Sequence, residues 1–322
     1  MEVVCLGILV ADVFAQPVSA LPQPGELKTT DGFLHSAGGC AANVAVNLRR
    51  LDRTVSVVGK VGQDSLGQFV VDELGHQGIG TQWIRRSSSQ PTSATVILNV
   101  RGEDRRYLHC IGANRDFGAP DFDPEVLHGA KILYVGGYMA MPGFSGRDLQ
   151  TIFKSAKQAG LMTVLDVVIP AGSDTAAEDV LPALPYTDYF LPNNDEARLL
   201  TGLATAHEQA RELSRHSPQT AVIVTLGHGG SVAVKGGRVV ETPAFAMDSI
   251  DESGAGDAFA AGLIVGILES WPLDFTLHFA AATGASCTRA VGCSAGVFRF
   301  QEALDYLKQQ DISLHKTPVP AQ

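Results

Sequence analysis

The chain lacks what would place it in a membrane, on a nucleic acid or around a structural metal. No run reaches the roughly 18 consecutive apolar residues that a membrane helix needs. Lys and Arg number 24 against 34 Asp and Glu, and the net charge of −10 has the wrong sign for a surface that follows a phosphate backbone. The five cysteines (Cys5, Cys40, Cys110, Cys287 and Cys293) are scattered, with no CxxC pair and no Cys/His cluster at zinc spacing. They read as reduced thiols, so a cytoplasmic protein is expected. A secretion signal is not expected, because Glu2 stands where a basic region belongs and Asp12 interrupts the first apolar run. GxxxxGK[ST] is missing, which excludes a P-loop nucleotidase in its usual form, and no GxSxG elbow occurs. His35, His109 and His228 have no partnered nucleophile and Ser253 has no nearby histidine, so hydrolysis by a triad is not expected.

What is present is apolar mass in a regular rhythm. Apolar residues make up 45% of the 322, enough for a large core. Val3–Val10, Thr54–Gly59, Lys131–Gly136, Met162–Val168, Tyr189–Pro192 and Ala221–Leu226 read as short buried strands. Helical patterns separate them at Gly38–Leu51, Leu66–His76, Gly146–Ala159, Asp195–Thr201 and His207–Arg215. Strands alternating with helices predict a mostly parallel sheet covered on both faces. Two regions break the rhythm. Phe14–Ser36 is rich in Pro and Gly, and Ala94–Cys110 holds two strand-like runs around Arg101-Gly102-Glu103-Asp104. Both suit a small β-structured flap beside the main sheet, or ordinary surface hairpins.

The most informative stretch is Asp251-Glu-Ser-Gly-Ala-Gly-Asp257, directly before the apolar helical run Ala258–Leu268. A helix N-terminus leaves backbone N–H groups without partners and carries partial positive charge. Gly254, Ala255 and Gly256 leave that backbone open to a phosphate, and Asp257 can take a proton from an attacking hydroxyl. A plain glycine-rich turn into a core helix is the alternative; a dinucleotide fingerprint is disfavoured, because Phe259 stands where it needs a third small residue. Gly38-Gly39-Cys-Ala-Ala-Asn43 is a second small-residue turn before a helix, with Asn43 able to donate and accept toward a polyhydroxylated ligand, or simply a site of close packing. Asn193 and Glu196 follow a strand at i, i+3 and either help hold a hydrated Mg²⁺ or start a helix. Thr225-Leu226-Gly227-His228-Gly229-Gly230 ends another strand in a loop that could pass under a nucleotide.

Four spaced motifs together resemble the ribokinase-like (PfkB) family of sugar and nucleoside kinases, from about Val3 to Leu307. Asp251–Asp257 is similar to its second signature and Gly38–Asn43 to its first. Asn193-x-x-Glu196 resembles its metal- and phosphate-organising motif, and Thr225-Leu226-Gly227 its nucleotide-loop strand. Pro22-x-Pro24-Gly25-Glu26 and Gly112-Ala-Asn114 resemble lid segments. The resemblance implies an α/β three-layer sandwich with a mostly parallel central sheet and a small β-lid. It implies one kinase domain over 1–310, with lid segments near 13–36 and 94–113, and a tail over 311–322. It implies transfer of the ATP γ-phosphate, with Mg²⁺, to a hydroxyl (expected to be primary) of a small sugar or sugar derivative. Asp257 would be the base, and Gly254, Ala255 and Gly256 the phosphoryl cradle. Asp12, Gly38, Gly39 and Asn43 would bind the sugar; Asn193, Thr225, Gly227 and Gly230 the nucleotide; Asn193 and Glu196 Mg²⁺. Asp251 and Ser253 are candidates for a monovalent cation such as K⁺. A homodimer through the lid is implied, with no nucleic-acid or membrane partner.

Some residues depart from the family's pattern. Glu252 stands where Thr is usual, Val10 where ribokinases have a sugar-contacting Asn, and Asp166-Val-Val-Ile lacks the Asp-Pro-Asn run. Arg105 and Arg106 in the expected lid, and Arg115 beyond it, could meet an anionic sugar or be solvated lid charges. A nucleoside kinase would need an aromatic shelf, for which Phe33 and Tyr107 are candidates, and a binding regulator without turnover is the rival of another class. A helix N-terminus is expected to lower the pKa of Asp257.

Overall fold

A computed structural model of the chain describes residues 1–15, 18–101, 106–170, 173 and 176–314. In chain order the strands are β1 (Val3–Gly7), β2 (Val10–Ala15), β3 (Phe33–Gly38), β4 (Val55–Gly62), β5 (Gly80–Ser87), β6 (Ala94–Leu98) and β7 (Arg106–Cys110). They continue as β8 (Ile132–Tyr138), β9 (Met162–Val167), β10 (Tyr189–Phe190), β11 (Ala221–Thr225), β12 (Ser231–Lys235) and β13 (Arg238–Thr242). The helices are α1 (Cys40–Arg50), α2 (Ser65–His76), α3 (Gly146–Gln158), α4 (Ala176–Val180), α5 (Asn194–Thr201), α6 (Ala206–His216), α7 (Ala255–Leu268), α8 (Leu273–Cys287) and α9 (Phe300–Gln309).

The main sheet runs β13-β12-β11-β10-β9-β8-β1-β4-β5 and is parallel except for the β11-β12-β13 edge. Its strands are apolar on both faces because helices cover both. Val3 and Cys5 pack with α1, α2, α7, α8 and α9 on one side, while Val4 and Leu6 pack with α3, α5 and α6 on the other. This is the three-layer α/β arrangement expected. The strand expected over Val3–Val10 is in fact two: after Gly7 the chain leaves the main sheet, and Val10 pairs with Gly38. Strand β5, the antiparallel pair β12–β13 and helices α8 and α9 add to the elements read from the pattern.

A second sheet, β3-β2-β6-β7, gathers both irregular regions. The Ala94–Cys110 hairpin forms as β6 and β7, and its turn residues Gly102–Arg105 lie outside the described residues. Register divides the side chains between two faces. Asp12 is opposite Ser36 and Thr95, Thr95 is opposite His109, and Ile97 is opposite Tyr107, so these share one face. Phe33, opposite Ala15, is on the other face, where His35 meets the Phe69 ring of α2 edge-on. Gly112–Asn114 belongs to a buried 3-10 turn (112–116) rather than to this sheet. Asn114 accepts from Leu9 N and donates to Leu9 O, bracing the crossing between β1 and β2 as a strand neighbour would. The tail beyond Leu314 lies outside the described residues.

Helices α7 and α8 are buried almost all round, and the glycines of α7 let them touch closely. A Cβ on Gly262 would lie 2.8 Å from Ala280 Cα. Gly262→Leu is therefore expected to cost about 1–3 kcal/mol or more by overpacking, read as a lower thermal midpoint. Gly75→Ala in α2, where a Cβ meets nothing within 4 Å, is expected to stabilise by about 0.4–1 kcal/mol. Equal midpoints for the two variants would contradict this packing.

Candidate active site

The carboxyl ends of the parallel strands converge with the N-termini of α1 and α7, the usual place for a ligand in such a sheet. Four other helices have side-chain N-caps: Asp64 for α2, Ser145 for α3, Asn193 for α5 and Thr205 for α6. Helices α1 and α7 do not. They begin at Gly39 (φ 91°) and Gly254 (φ 75°), neither with a side-chain cap. Both glycines are required by backbone and space. A Cβ on Gly39 would overlap the Ile8 carbonyl, and one on Gly254 would overlap Cys293. A Cβ on Gly256 would meet nothing within 4 Å, so that glycine leaves room that protein atoms do not use.

Asp257 sits in the first turn of α7 and accepts a 2.8 Å hydrogen bond from Asn43 Nδ2 of α1. Its carboxyl is raised to about 6, not lowered as expected. Burial dominates, and the hydrogen bonds from Asn43 and Cys40 offset only part of it. Cys40 Sγ and carboxylate oxygens of Asp166 and Asp257 lie within 4.8 Å of one another. Asp166, at the end of β9, accepts from Tyr134 Oη at 2.8 Å. Burial and then the Asp257 and Glu196 charges hold it well above the carboxylate range. Burial and the same acids raise the Cys40 thiol. Asp12 is half-buried; Gly38 has no Cβ because one would overlap its carboxylate. Burial raises its pKa, against a Thr95 hydrogen bond and the His109 charge. Thr95 Oγ1 lies 3.1 Å from His109 Nδ1.

On the other side of the α7 N-terminus is a cavity of about 400 Å³. Thr225, Gly227 and Gly230 line one wall with Ala255 and Gly256, and Phe245, Met247 and Ala281 give it an apolar end. Asn193 and Glu196 are close by, since Asn193 bridges to Thr225. They form a capping box: Asn193 Oδ1 accepts from the Asp195 and Glu196 N–H groups, and Glu196 Oε2 accepts from Asn193 N. Asn193 is thus the N-cap of α5 rather than a first-turn residue. Glu196 is raised to about 7, chiefly by burial. Asp251 is buried, and its two oxygens accept from Ser253 N and Gly292 N, tying the loop before α7 to the loop after α8. Arg106 and Arg115 are exposed, and Arg105 lies outside the described residues.

Sequence reasoning missed Asp166, Cys40, Tyr134, Thr95 and the 244–249 and 281–288 walls. An acid closing an apolar strand, as Asp166 does, was the available signal; the walls belong to an ordinary helix and loop with no motif of their own.

A model of the pfkB family of carbohydrate kinases matches residues 1–298, and the chain belongs to that family. It is 27% identical over 290 residues to a ribokinase of Haemophilus influenzae, covering 89% of this chain and 92% of that protein. It is 24% identical over 331 residues to a 5-dehydro-2-deoxygluconokinase of Clostridium beijerinckii, covering 96% and 94%. The structure of Arabidopsis thaliana ribokinase with ribose and ATP superposes with a TM-score of 0.79 at 25% identity, covering 95% of this chain and 98% of that one. No helix among the described residues is long and apolar enough to cross a membrane.

The raised acids have a consequence for stability. A carboxyl whose folded pKa lies above its unfolded value binds more protons in the fold, so stability falls as pH rises from the unfolded to the folded pKa. For Asp257 this window runs from about 4 to about 6, and for Glu196 from about 4.5 to about 7. Asp257→Asn and Glu196→Gln are each expected to flatten the fall in thermal midpoint across their own window. Parallel curves for wild type and variants would contradict the burial argument.

Proposed function

We propose that the protein transfers the γ-phosphate of Mg·ATP to a primary hydroxyl of a small sugar or sugar derivative. The observation that carries this reading is the double contact of the α7 N-terminus. Its residues Ala255 and Gly256 line the 400 Å³ cavity, while Asp257, one residue on, is hydrogen-bonded to Asn43, which is not part of the cavity lining. ATP suits the cavity, with its base toward Phe245 and Met247 and its phosphates at the start of α7, where no side chain caps the Gly256 and Asp257 N–H groups. The sugar's hydroxyls meet Asp12, Asn43 and the Gly38-Gly39 turn.

Asp257 takes the hydroxyl proton as the new P–O bond forms, and a pKa near 6 leaves it mostly ionised at neutral pH yet more basic than an ordinary aspartate. Phosphoryl transfer needs positioning and charge stabilisation more than covalent chemistry. Asp166, Asp257 and Glu196 raise one another's or their neighbours' pKa, a donor set that fits a hard divalent cation. When bound, Mg²⁺ offsets phosphate charge; Glu196 and Asn193 are the residues that would hold its water shell. A K⁺ ion belongs beside Asp251 and Ser253 in the same reading.

The apolar row Phe14, Leu34, Ile97 and Tyr107, on the Asp12 face of the small sheet, favours a second reading, a nucleoside acceptor whose base stacks there. Phe33 offers no such shelf, being on the other face. The small sheet acts as a lid in either reading, and Phe33 and Leu108, exposed on the face away from Asp12, suit a homodimer contact.

Asp257→Asn is expected to fold and to lose about 10²–10⁴-fold in kcat, measured as ADP release with sugar and nucleoside panels. Near-wild-type turnover in the folded variant would sink the assignment. Glu196→Gln is expected to show a smaller loss that excess Mg²⁺ partly restores; an unchanged Mg²⁺ dependence would remove its metal role.

A further inference from the structure

The mouth of the nucleotide cavity holds a hydrogen-bonded pair that the reaction does not require. His228 Nε2 lies 2.9 Å from Glu252 Oε1, and both residues line the cavity. They come from two separate segments, 24 residues apart in the chain. An isolated exposed pair contributes little to stability, but here both backbones are pinned. His228 lies between Gly227 (φ 55°) and Gly230 (φ 83°), and a Cβ on Gly230 would overlap the Thr242 carbonyl. Glu252 is held between Asp251, whose N–H donates to Thr288 O, and Gly254, packed against Cys293.

The position of Glu252 makes the pair matter. It precedes the uncapped start of α7 by two residues, where the phosphates lie in the proposed function. A carboxylate there repels phosphate and competes for the same positive N-terminus. We propose that His228 and Glu252 form a clasp across the cavity mouth that sets nucleotide affinity: His228 holds the Glu252 carboxylate to the rim, away from the phosphates. The clasp rests on the nucleotide assignment above. In it His228 acts through Glu252, as a positioning residue, and Glu252 is the affinity determinant.

The test uses direct binding of a fluorescent methylanthraniloyl-ADP with Mg²⁺ to the full chain, so no sugar need be known. His228→Ala frees the carboxylate and is expected to weaken binding about 5- to 10-fold at low salt. Glu252→Thr is expected to tighten it about 3-fold or more. The double variant is expected to match Glu252→Thr within about twofold, because His228 has nothing left to hold. The effect of His228→Ala should shrink at high ionic strength, since the pair is exposed. Binding by His228→Ala equal to wild type overturns the clasp. So does an additive double variant, which would mean that His228 touches the phosphates itself. No binding of the nucleotide by the wild-type chain overturns the nucleotide site, and the clasp with it; that failure is distinct from the other two.

Discussion

The hydrogen bond from Asn43 Nδ2 to Asp257 Oδ2 joins residues 214 positions apart and is the constraint around which the site is arranged. It can form only because α1 and α7 start side by side at the ends of parallel strands. That placement requires a tight, side-chain-free entry into each helix. Gly39 and Gly254 supply it in the left-handed region, where a Cβ would strike neighbouring backbone or side chain. The same entry leaves both helices without a side-chain cap, so the geometry that brings the acid to the amide also keeps side chains off the helix N-terminus beside it. The proposed anion site and the proposed base thus have one structural cause.

The acids around Asp257 set the electrostatic character of the centre. Cys40, Asp166 and Asp257 crowd together, and Glu196 is near enough for its charge to be felt by Asp166 and Cys40. Burial makes each costly to ionise, and the Asp257 and Glu196 charges make Asp166 costlier still. The cluster is balanced by protons or by a cation. This explains why the helix-dipole expectation failed at Asp257: the dipole is a modest effect, worth about 0.3–1 kcal/mol in ordinary settings, and desolvation by burial outweighs it.

Much of this was legible in the sequence. Apolar strands alternating with helices specify a helix-covered parallel sheet, and the two glycine turns mark α1 and α7, which begin at a positive-φ glycine without a side-chain cap. The irregular stretches around Phe14–Ser36 and Ala94–Cys110 were legible as a separate β unit because they break that rhythm. Other features were not. The parting of β1 from β2 is invisible in Val3–Val10, which is apolar throughout because both halves are buried. Asn193 and Glu196 have a spacing that serves helix capping as well as metal organisation, and the structure shows the cap. Tyr107 and Phe33 look equivalent as aromatic shelves until strand register puts them on opposite faces. The nucleotide cavity walls at 244–249 and 281–288 are contributed by a loop and by one face of α8, and convergence of that kind leaves no local pattern.

In the proposed function Asp257 and the α7 N-terminus together move a phosphoryl group onto a sugar hydroxyl. The most direct measurement is mass-spectrometric analysis of a mixed pool of neutral sugars, sugar acids and nucleosides after incubation with Mg·ATP and the protein. The account predicts one class of pool member gaining a phosphoryl group on a hydroxyl, in step with ADP formation. ADP formed without any phosphorylated acceptor, or no product from a folded chain that binds ATP, would contradict it.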